Sequence, residues 1–382
     1  MYLAVVVLLA LMVIAFFNLR PAAEQNTVEN LPTTDVYTYE TNFPTEYIEK
    51  NKNNIQVEIP RVYELLHVVI TLTDSAQEHK YNLNYNSEYY QAVQSHFQEY
   101  SDHPAVKEYE KIRAEYSYSN PRMLFTYEFN NNEVTASEVY DFKVDREDAD
   151  AYAKLLTDFA QKSNFNQFYN QHKSYYQEKI KEFEKYTNLK RSWQWLEENY
   201  PVSYDSYKVI LSPLVFGSHN TIRFGDSEEN YNEIVMFVST AELFTFRDIE
   251  SEALISALTE RMVFTEIDHN YVNPVTDKKE NMKKIMEVFG NLDKWNNKSG
   301  NYSKRGLTFN EYMTWGTACL YIYEYYEPAV YEEFVHHTKE NMKYRGFVKF
   351  PEFYEDLLTL YKESDKPIAE LYPELLERVE GI

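Results

Sequence analysis

Glycine, cysteine and positive charge are all scarce in this sequence. Only 8 of its 382 residues are glycine, which argues against a turn-rich all-β barrel. Cys319 is the single cysteine, so an intrachain disulfide is excluded, and its apolar neighbours indicate a buried thiol. Basic residues number 38 against 61 acidic ones, giving a net charge of -23. Because phosphate contacts need clustered Lys and Arg, this balance opposes binding to nucleic acid or anionic lipid.

An apolar leader opens the chain. Residues 2–17 contain no charged side chain, and Arg20 is the first charged residue. The run is slightly short for a membrane-spanning helix and slightly long for a signal-peptide core, so residues 1–20 are predicted to be a signal peptide or a membrane anchor. Either predicts an exported protein, periplasmic or extracellular, that touches the membrane only through this segment. The acidic stretch that follows favours translocation.

Composition and the spacing of apolar residues divide the rest of the chain into a linker and a folded domain. Residues 21–55 are rich in Thr, Asn, Glu and Pro without apolar periodicity, which predicts a linker. Helical spacing of apolar residues begins after Pro60 and predicts a helical part that extends to about residue 200. Residues 201–382 are predicted to hold a small sheet, a helix and a helical tail. The whole of 56–382 is therefore predicted to form one α+β domain that is predominantly helical.

The sheet and the helix after it are predicted from residue type. β-Branched runs predict strands at 208–215, 221–224 and 233–238. A helix is predicted from about Asp248, a plausible N-cap, to Asn270, with Pro274 just beyond its end. The 36 tyrosines are predicted mainly to cover helix packing surfaces, with a buried ring and a hydrated hydroxyl.

This helix contains part of a metal-binding pattern. In zinc peptidases, His-Glu-x-x-His places two histidines on one helical face as zinc ligands, and the glutamate activates the zinc-bound water. Here Glu266 and His269 keep the glutamate and the second histidine, but Thr265 occupies the first histidine position. A threonine hydroxyl is a poor zinc ligand compared with imidazole. Glu311, at the start of a later helix, is the candidate for a further carboxylate ligand.

Several segments resemble an uncharacterised family of exported bacterial proteins, classed as a domain of unknown function. In that family a His-Glu-Phe-Ser-His-like helix runs into Asn-Pro, as this helix does at 268–274. The likeness covers most of the chain after residue 55, and its other segments are 60–72, 102–106, 310–312 and 371–376.

The family looks like a gluzincin-type metallopeptidase, in which two histidines and a glutamate bind zinc. The resemblance implies a zincin-like core, with Glu266 as catalytic base and with His269 and Glu311 as zinc ligands. Thr265 is the degenerate position, so zinc is an expected cofactor only if another group replaces the missing ligand.

Three interpretations remain open from the sequence. In the first, the protein is a pseudo-peptidase whose cleft binds a peptide or a protein partner. In the second, it is an active metal-dependent peptidase in which Asp268, His336 or His337 supplies the missing ligand. In the third, it is a structural or binding protein in which Glu266 and His269 form a polar pair. A di-iron site built on Glu-x-x-His spacing is a weaker alternative, because that spacing arises by chance in so acidic a chain.

Two further residues are candidates for the cleft. His219 follows a strand-like run, and the strand before the motif helix borders the substrate cleft in zincins, so His219 is a candidate for substrate contact. Tyr344 precedes Arg345-Gly346 and is a candidate for stabilising an oxyanion.

Overall fold

The computed structural model describes residues 38–78, 82–115, 126–140, 147–217, 219–298 and 302–382. The leader predicted over residues 1–20 and the first part of the predicted linker lie outside these ranges. Within them, no helix combines the length and apolar character needed to span a membrane. Helices predominate, with a five-stranded mixed sheet and a separate two-stranded antiparallel sheet, which confirms the predicted α+β, mainly helical class.

Seven strands and sixteen α-helices are named here in chain order. The strands are β1 (Thr38–Glu40), β2 (Ile55–Glu58), β3 (Tyr127–Asn130), β4 (Glu133–Ala136), β5 (Ser206–Ser212), β6 (Asn220–Asp226) and β7 (Tyr231–Ser239). The helices of the first half are α1 (Thr45–Asn51), α2 (Arg61–Thr71), α3 (Asp74–Glu78), α4 (Glu88–Phe97), α5 (Pro104–Glu115), α6 (Glu147–Lys162), α7 (Phe165–Gln171), α8 (Lys173–Tyr186) and α9 (Leu189–Asn199). Those of the second half are α10 (Glu242–Thr245), α11 (Glu252–Thr276), α12 (Lys279–Val288), α13 (Arg305–Tyr325), α14 (Pro328–Tyr344), α15 (Phe350–Glu363) and α16 (Ile368–Arg378).

The central sheet has the strand order β1-β6-β7-β5-β2. Only β6 and β7 pair antiparallel, and the other neighbours are parallel. Every residue of β5 is buried, as expected for a strand covered on both faces. The three predicted strand runs correspond to β5, β6 and β7, although β5 begins two residues earlier than predicted and ends before Pro213.

The two edges of this sheet come from residues that composition assigned to a linker. β1 pairs with β6 in the register Thr38↔Arg223, and β2 pairs with β5 in the register Ile55↔Tyr207. Both edge strands are short and only partly buried, so they lack the apolar runs that identify central strands. The structure therefore differs from the predicted linker over residues 38–55.

Helix α11 crosses the centre of the fold. Ser251 is its N-cap, and its hydroxyl accepts a hydrogen bond from the Leu254 amide. The predicted cap at Asp248 and end at Asn270 are both wrong, because the helix starts later and continues to Thr276 through Pro274. Pro274 cannot donate to the carbonyl of Asn270, and the hydroxyl of Tyr204 donates to that carbonyl instead, at 2.9 Å.

Tyrosine hydroxyls satisfy three buried carboxylates in the core. Glu64, Glu233 and Glu260 are at most 1% exposed. Each accepts hydrogen bonds from at least one tyrosine and from a serine. The tyrosine donors are Tyr89 to Glu64, Tyr47 and Tyr140 to Glu233, and Tyr321 and Tyr326 to Glu260. These contacts give part of the tyrosine content a structural role, because a buried charge is tolerated only when it is hydrogen-bonded.

Candidate functional site

A cleft of about 420 Å³ lies beside helix α11, with walls from α13, the end of α14 and the segment that joins β5 to β6. Thr265, Glu266 and His269 line it from α11, and Glu311 lines it from α13. Thr265 and His269 are four residues apart and so share one face of the helix. The convergence expected for Glu266, His269 and Glu311 in one cleft is therefore present, whereas their catalytic and metal-binding roles stay predictions.

Glu311 is held between two cationic side chains. His269 Nε2 lies 3.3 Å from Glu311 Oε1, and Arg345 Nη2 donates a 2.6 Å hydrogen bond to Glu311 Oε2. Arg345 also donates to the hydroxyl of Tyr302, at 2.9 Å. Both carboxylate oxygens of Glu311 are thus engaged, in a side chain that is only 5% exposed.

The protonation states of this group follow from its geometry. Burial favours neutral Glu311, but Arg345 and His269 outweigh it and lower the pKa of Glu311 to about 2. Burial also favours neutral His269, but the Glu311 carboxylate raises the pKa of His269 to about 9. In this arrangement His269 Nε2 is directed at the Glu311 carboxylate, and this contact favours the imidazolium form of His269.

Thr265 makes its contact within its own helix. Its hydroxyl lies 3.5 Å from the carbonyl of Met262, and the residue is only 7% exposed. This i to i−3 contact is a common use of a threonine hydroxyl in a helix interior. The position that would hold the first motif histidine therefore contributes a short neutral side chain to the cleft wall.

These side chains, as they are arranged, do not make up a zinc site. A zinc centre needs deprotonated ligands, usually three or four of them from the protein. His269 Nε2 faces Glu311, Glu311 is paired with Arg345, and Thr265 stands where an imidazole is needed. Across the part of the chain that the structure describes, no group of three His, Cys, Asp or Glu side chains is arranged to hold a metal ion.

The other groups considered as replacement ligands lie elsewhere. His336 and His337 are exposed on α14, where their rings contact each other, and neither lines the cleft. Asp268 is buried on another side of α11, where burial raises the pKa of its carboxyl well above the usual range. None of these residues lies on the cleft face of α11.

Of the two further candidates, His219 lies in the cleft and Tyr344 lies outside it. His219 lines the cleft, and its Nε2 lies 2.9 Å from the hydroxyl of Ser239. Burial and the charge of Arg261 lower the pKa of His219 to about 3, so this imidazole is neutral. Tyr344 is 80% exposed and is not among the residues that line the cleft, so it is poorly placed for the predicted oxyanion contact.

Two arginines of the cleft were missed from the sequence. Arg261 lies one turn before Thr265 on α11 and is 8% exposed, and its guanidinium lies 4.7 Å from the ring centre of Trp315. Arg247 follows α10 and stacks on Phe244 at 5.6 Å. Neither arginine has a carboxylate within ion-pair distance among the residues described. The spacing of four between Arg261 and Thr265 was the signal that could have placed Arg261 on the cleft face.

Buried amides also line the cleft without partners. Asn310, on α13, is 2% exposed, and neither its Nδ2 nor its Oδ1 has a hydrogen-bond partner within the described ranges. Asn273, on α11, is 3% exposed, and its Oδ1 is similarly unpartnered there. Because buried polar atoms are nearly always hydrogen-bonded, these shielded amides indicate positions for ordered water.

Fold and site together define an α+β protein with a polar, arginine-containing cleft between two central helices. Residues 53–378 match the family described as Domain of unknown function (DUF4932), and the chain belongs to that family. No curated protein and no solved structure matches the chain significantly.

Proposed function

We propose that this protein is a zincin-like pseudo-peptidase that binds a peptide, or a peptide segment of a partner protein, in the cleft without metal. The observation that supports this most directly is the state of Glu311. One of its carboxylate oxygens lies 2.6 Å from Arg345 Nη2 and the other 3.3 Å from His269 Nε2, so both oxygens are engaged by protein side chains. Thr265 supplies no replacement ligand.

The peptide-binding part of the proposal rests on the shape and chemistry of the cleft. A volume of about 420 Å³ is within the range of ligand pockets and accommodates a few residues of an extended peptide. Arg247 and Arg261 line the same cleft, and their N–H donors match the carbonyl and carboxylate oxygens of a peptide. Aromatic side chains such as Trp315 and Phe244 supply apolar surface beside them.

Binding and hydrolysis are separated by one experiment. Purified full-length protein is titrated with a library of short fluorescein-labelled peptides, once with added zinc and once with EDTA, while anisotropy and cleavage are followed in parallel. We expect binding that is equal in zinc and EDTA, with no cleavage. Binding should also survive Glu266→Gln, because no catalytic base is needed.

The active-peptidase alternative makes the opposite prediction. Cleavage that EDTA abolishes, and that Glu266→Gln reduces by several orders of magnitude, would overturn the proposal. The absence of any peptide binding, with or without zinc, would favour a purely structural role for Glu266 and His269.

Export forms a second part of the proposal. It is supported by the uncharged run at residues 2–17 and the acidic segment that follows. Mass spectrometry of the protein recovered from cell fractions is expected to locate it outside the cytoplasm. Recovery from the cytoplasm with an intact amino terminus would contradict export.

A further inference from the structure

We propose that Arg261 and Arg247 form a carboxylate-binding subsite in the cleft, so that its ligand is an acidic peptide. This inference rests on the proposed peptide-binding function and narrows its ligand class. The subsite is separate from the Glu311 ion-pair group, because Arg345 alone among the three cleft arginines is paired with that carboxylate.

Arg261 supplies the main observation. An arginine with so little exposed surface normally has a carboxylate or several hydrogen-bond acceptors around it, because burying an unpaired charge is costly. Within the described ranges, Arg261 has the ring of Trp315 beside it and no acidic partner. An anionic ligand that entered the cleft would supply the missing acceptor.

The surrounding groups hold this guanidinium in place. Trp315 contacts two arginines, with the Arg261 guanidinium at 4.7 Å and the Arg345 guanidinium at 4.8 Å from its ring centre. A flat guanidinium stacked on an aromatic ring keeps its N–H donors directed outward from its edge. Such donors match a carboxylate in bidentate geometry.

Arg247 adds a second unpaired charge at the more open side of the cleft. The residue is exposed, and its guanidinium stacks on Phe244 at 5.6 Å and Phe216 at 5.8 Å. Arg247 and Arg261 line the same cleft, where burial and, after it, the positive charge of Arg247 lower the pKa of Arg261 to about 10. An anion between them would relieve this repulsion.

The charge of the cleft contrasts with that of the whole chain. The protein has a net charge of -23, whereas the cleft has three arginines and two glutamates among its lining residues. An acidic peptide would be repelled by most of the surface and attracted at this one position, which would orient it towards the cleft.

Paired peptides test the subsite in the full-length protein. A fluorescein-labelled peptide rich in glutamate is compared with the same peptide carrying glutamine at those positions. We expect the glutamate peptide to bind more tightly by about 10- to 100-fold, the range expected for a hydrogen bond to a charged group. Arg261→Met, which keeps an unbranched side chain beside Trp315, should remove most of this preference.

Arg61→Met is the matched control, because Arg61 stacks on Tyr169 outside the cleft. This substitution should leave the preference for the glutamate peptide over the glutamine peptide unchanged. Arg247→Met provides a second test, since an exposed side chain has little effect on folding, and it should weaken the glutamate peptide selectively.

Equal binding of the two peptides, or an unchanged preference in both cleft variants, would overturn the carboxylate subsite while leaving peptide binding intact. Failure of both peptides to bind would overturn peptide binding itself. Displacement of the glutamate peptide by inorganic phosphate, at concentrations where acetate has no effect, would assign the subsite to a phosphoryl ligand and overturn the acidic-peptide proposal.

Discussion

His269 Nε2 lies 3.3 Å from Glu311 Oε1, which joins the carboxyl-terminal third of helix α11 to the second turn of helix α13. Arg345 approaches the other oxygen of the same carboxylate. In a zinc peptidase the corresponding histidine and glutamate would face a metal ion. In this protein His269 and Glu311 face each other, and Arg345 engages the second oxygen of the carboxylate.

The Glu311 carboxylate should matter greatly for stability. Glu311→Gln would leave Arg345 and His269 beside a neutral amide, and removing one partner from a buried ion pair destabilises a protein by about 3–5 kcal/mol. The measurement is urea unfolding at neutral pH. Glu355→Gln is the control, because Glu355 is 70% exposed and its pair with Lys339 should contribute less than about 1 kcal/mol. Equal losses in the two variants would contradict the structural role assigned to Glu311.

Gly346 should be required to position Arg345. It follows α14 with φ +96°, and the Phe347 amide donates to the Met342 carbonyl while the Gly346 amide donates to the Lys343 carbonyl, as in a Schellman motif. A Cβ at position 346 would lie 2.7 Å from the Cβ of Lys298. Gly346→Ala is therefore expected to lower the free energy of unfolding by about 1–2 kcal/mol or more.

Gly381→Ala is the control for this substitution, because a Cβ at position 381 would meet no atom within 4 Å. Thermal unfolding of both variants is the measurement. If Gly346→Ala matched the stability of Gly381→Ala, the left-handed conformation at Gly346 would be contradicted.

Glu64 should make stability depend on pH. It is fully buried, and burial raises its pKa to about 7 despite hydrogen bonds from Ser212 and Tyr89. In the unfolded chain a glutamate titrates near pH 4.3, so between about pH 4.3 and 7 the folded state binds more protons at this site. The contribution of Glu64 to stability is therefore full at low pH and falls as the pH rises through 7, by on the order of 3 kcal/mol.

Glu64→Gln should remove this decline, because the amide stays neutral and still offers an acceptor to Tyr89. The difference in unfolding free energy between variant and wild type is measured from pH 4 to 8, with Glu99→Gln as an exposed control. A difference that does not change over this range would contradict a protonated Glu64.

A zinc site should be restorable if the core is zincin-like. Thr265→His supplies the missing imidazole, and Arg345→Met releases Glu311 from its ion pair. We expect the double variant to bind zinc and to gain about 3 kcal/mol of stability at a zinc concentration 100 times its Kd. Thr265→His alone should bind zinc much more weakly.

His269→Ala in the double variant is the control, and it should abolish the gain of stability that zinc produces. The readout is the melting temperature as a function of zinc concentration. A folded double variant that takes up no zinc would contradict a zincin-like arrangement of α11 and α13.

The sequence alone was sufficient to predict the elements whose residues form a strong local pattern. β5, β6 and β7 were predicted from their β-branched runs. Glu266 and His269 were identified by a known spacing, and Glu311 by its place on a later helix and by the family resemblance. The edge strands β1 and β2 were missed because their pairing with distant strands, and not their composition, makes them strands.

Other features depended on contacts that no local pattern reveals. The passage of α11 through Pro274 depends on Tyr204, which is 70 residues away in sequence. The pairing of Glu311 with Arg345 depends on how the end of α14 meets α13. Unpaired Arg261 was overlooked because a lone arginine in a helix is ordinarily a solvated residue, and only the fold shows that it is buried.

Metal content of the purified full-length protein tests the central claim most directly. Elemental analysis is carried out on protein expressed with zinc and dialysed without chelator, alongside His269→Ala, and melting is compared before and after EDTA. We predict substoichiometric zinc in both proteins and a melting temperature that EDTA does not change. Stoichiometric zinc in the wild type that is lost in His269→Ala would contradict a metal-free cleft.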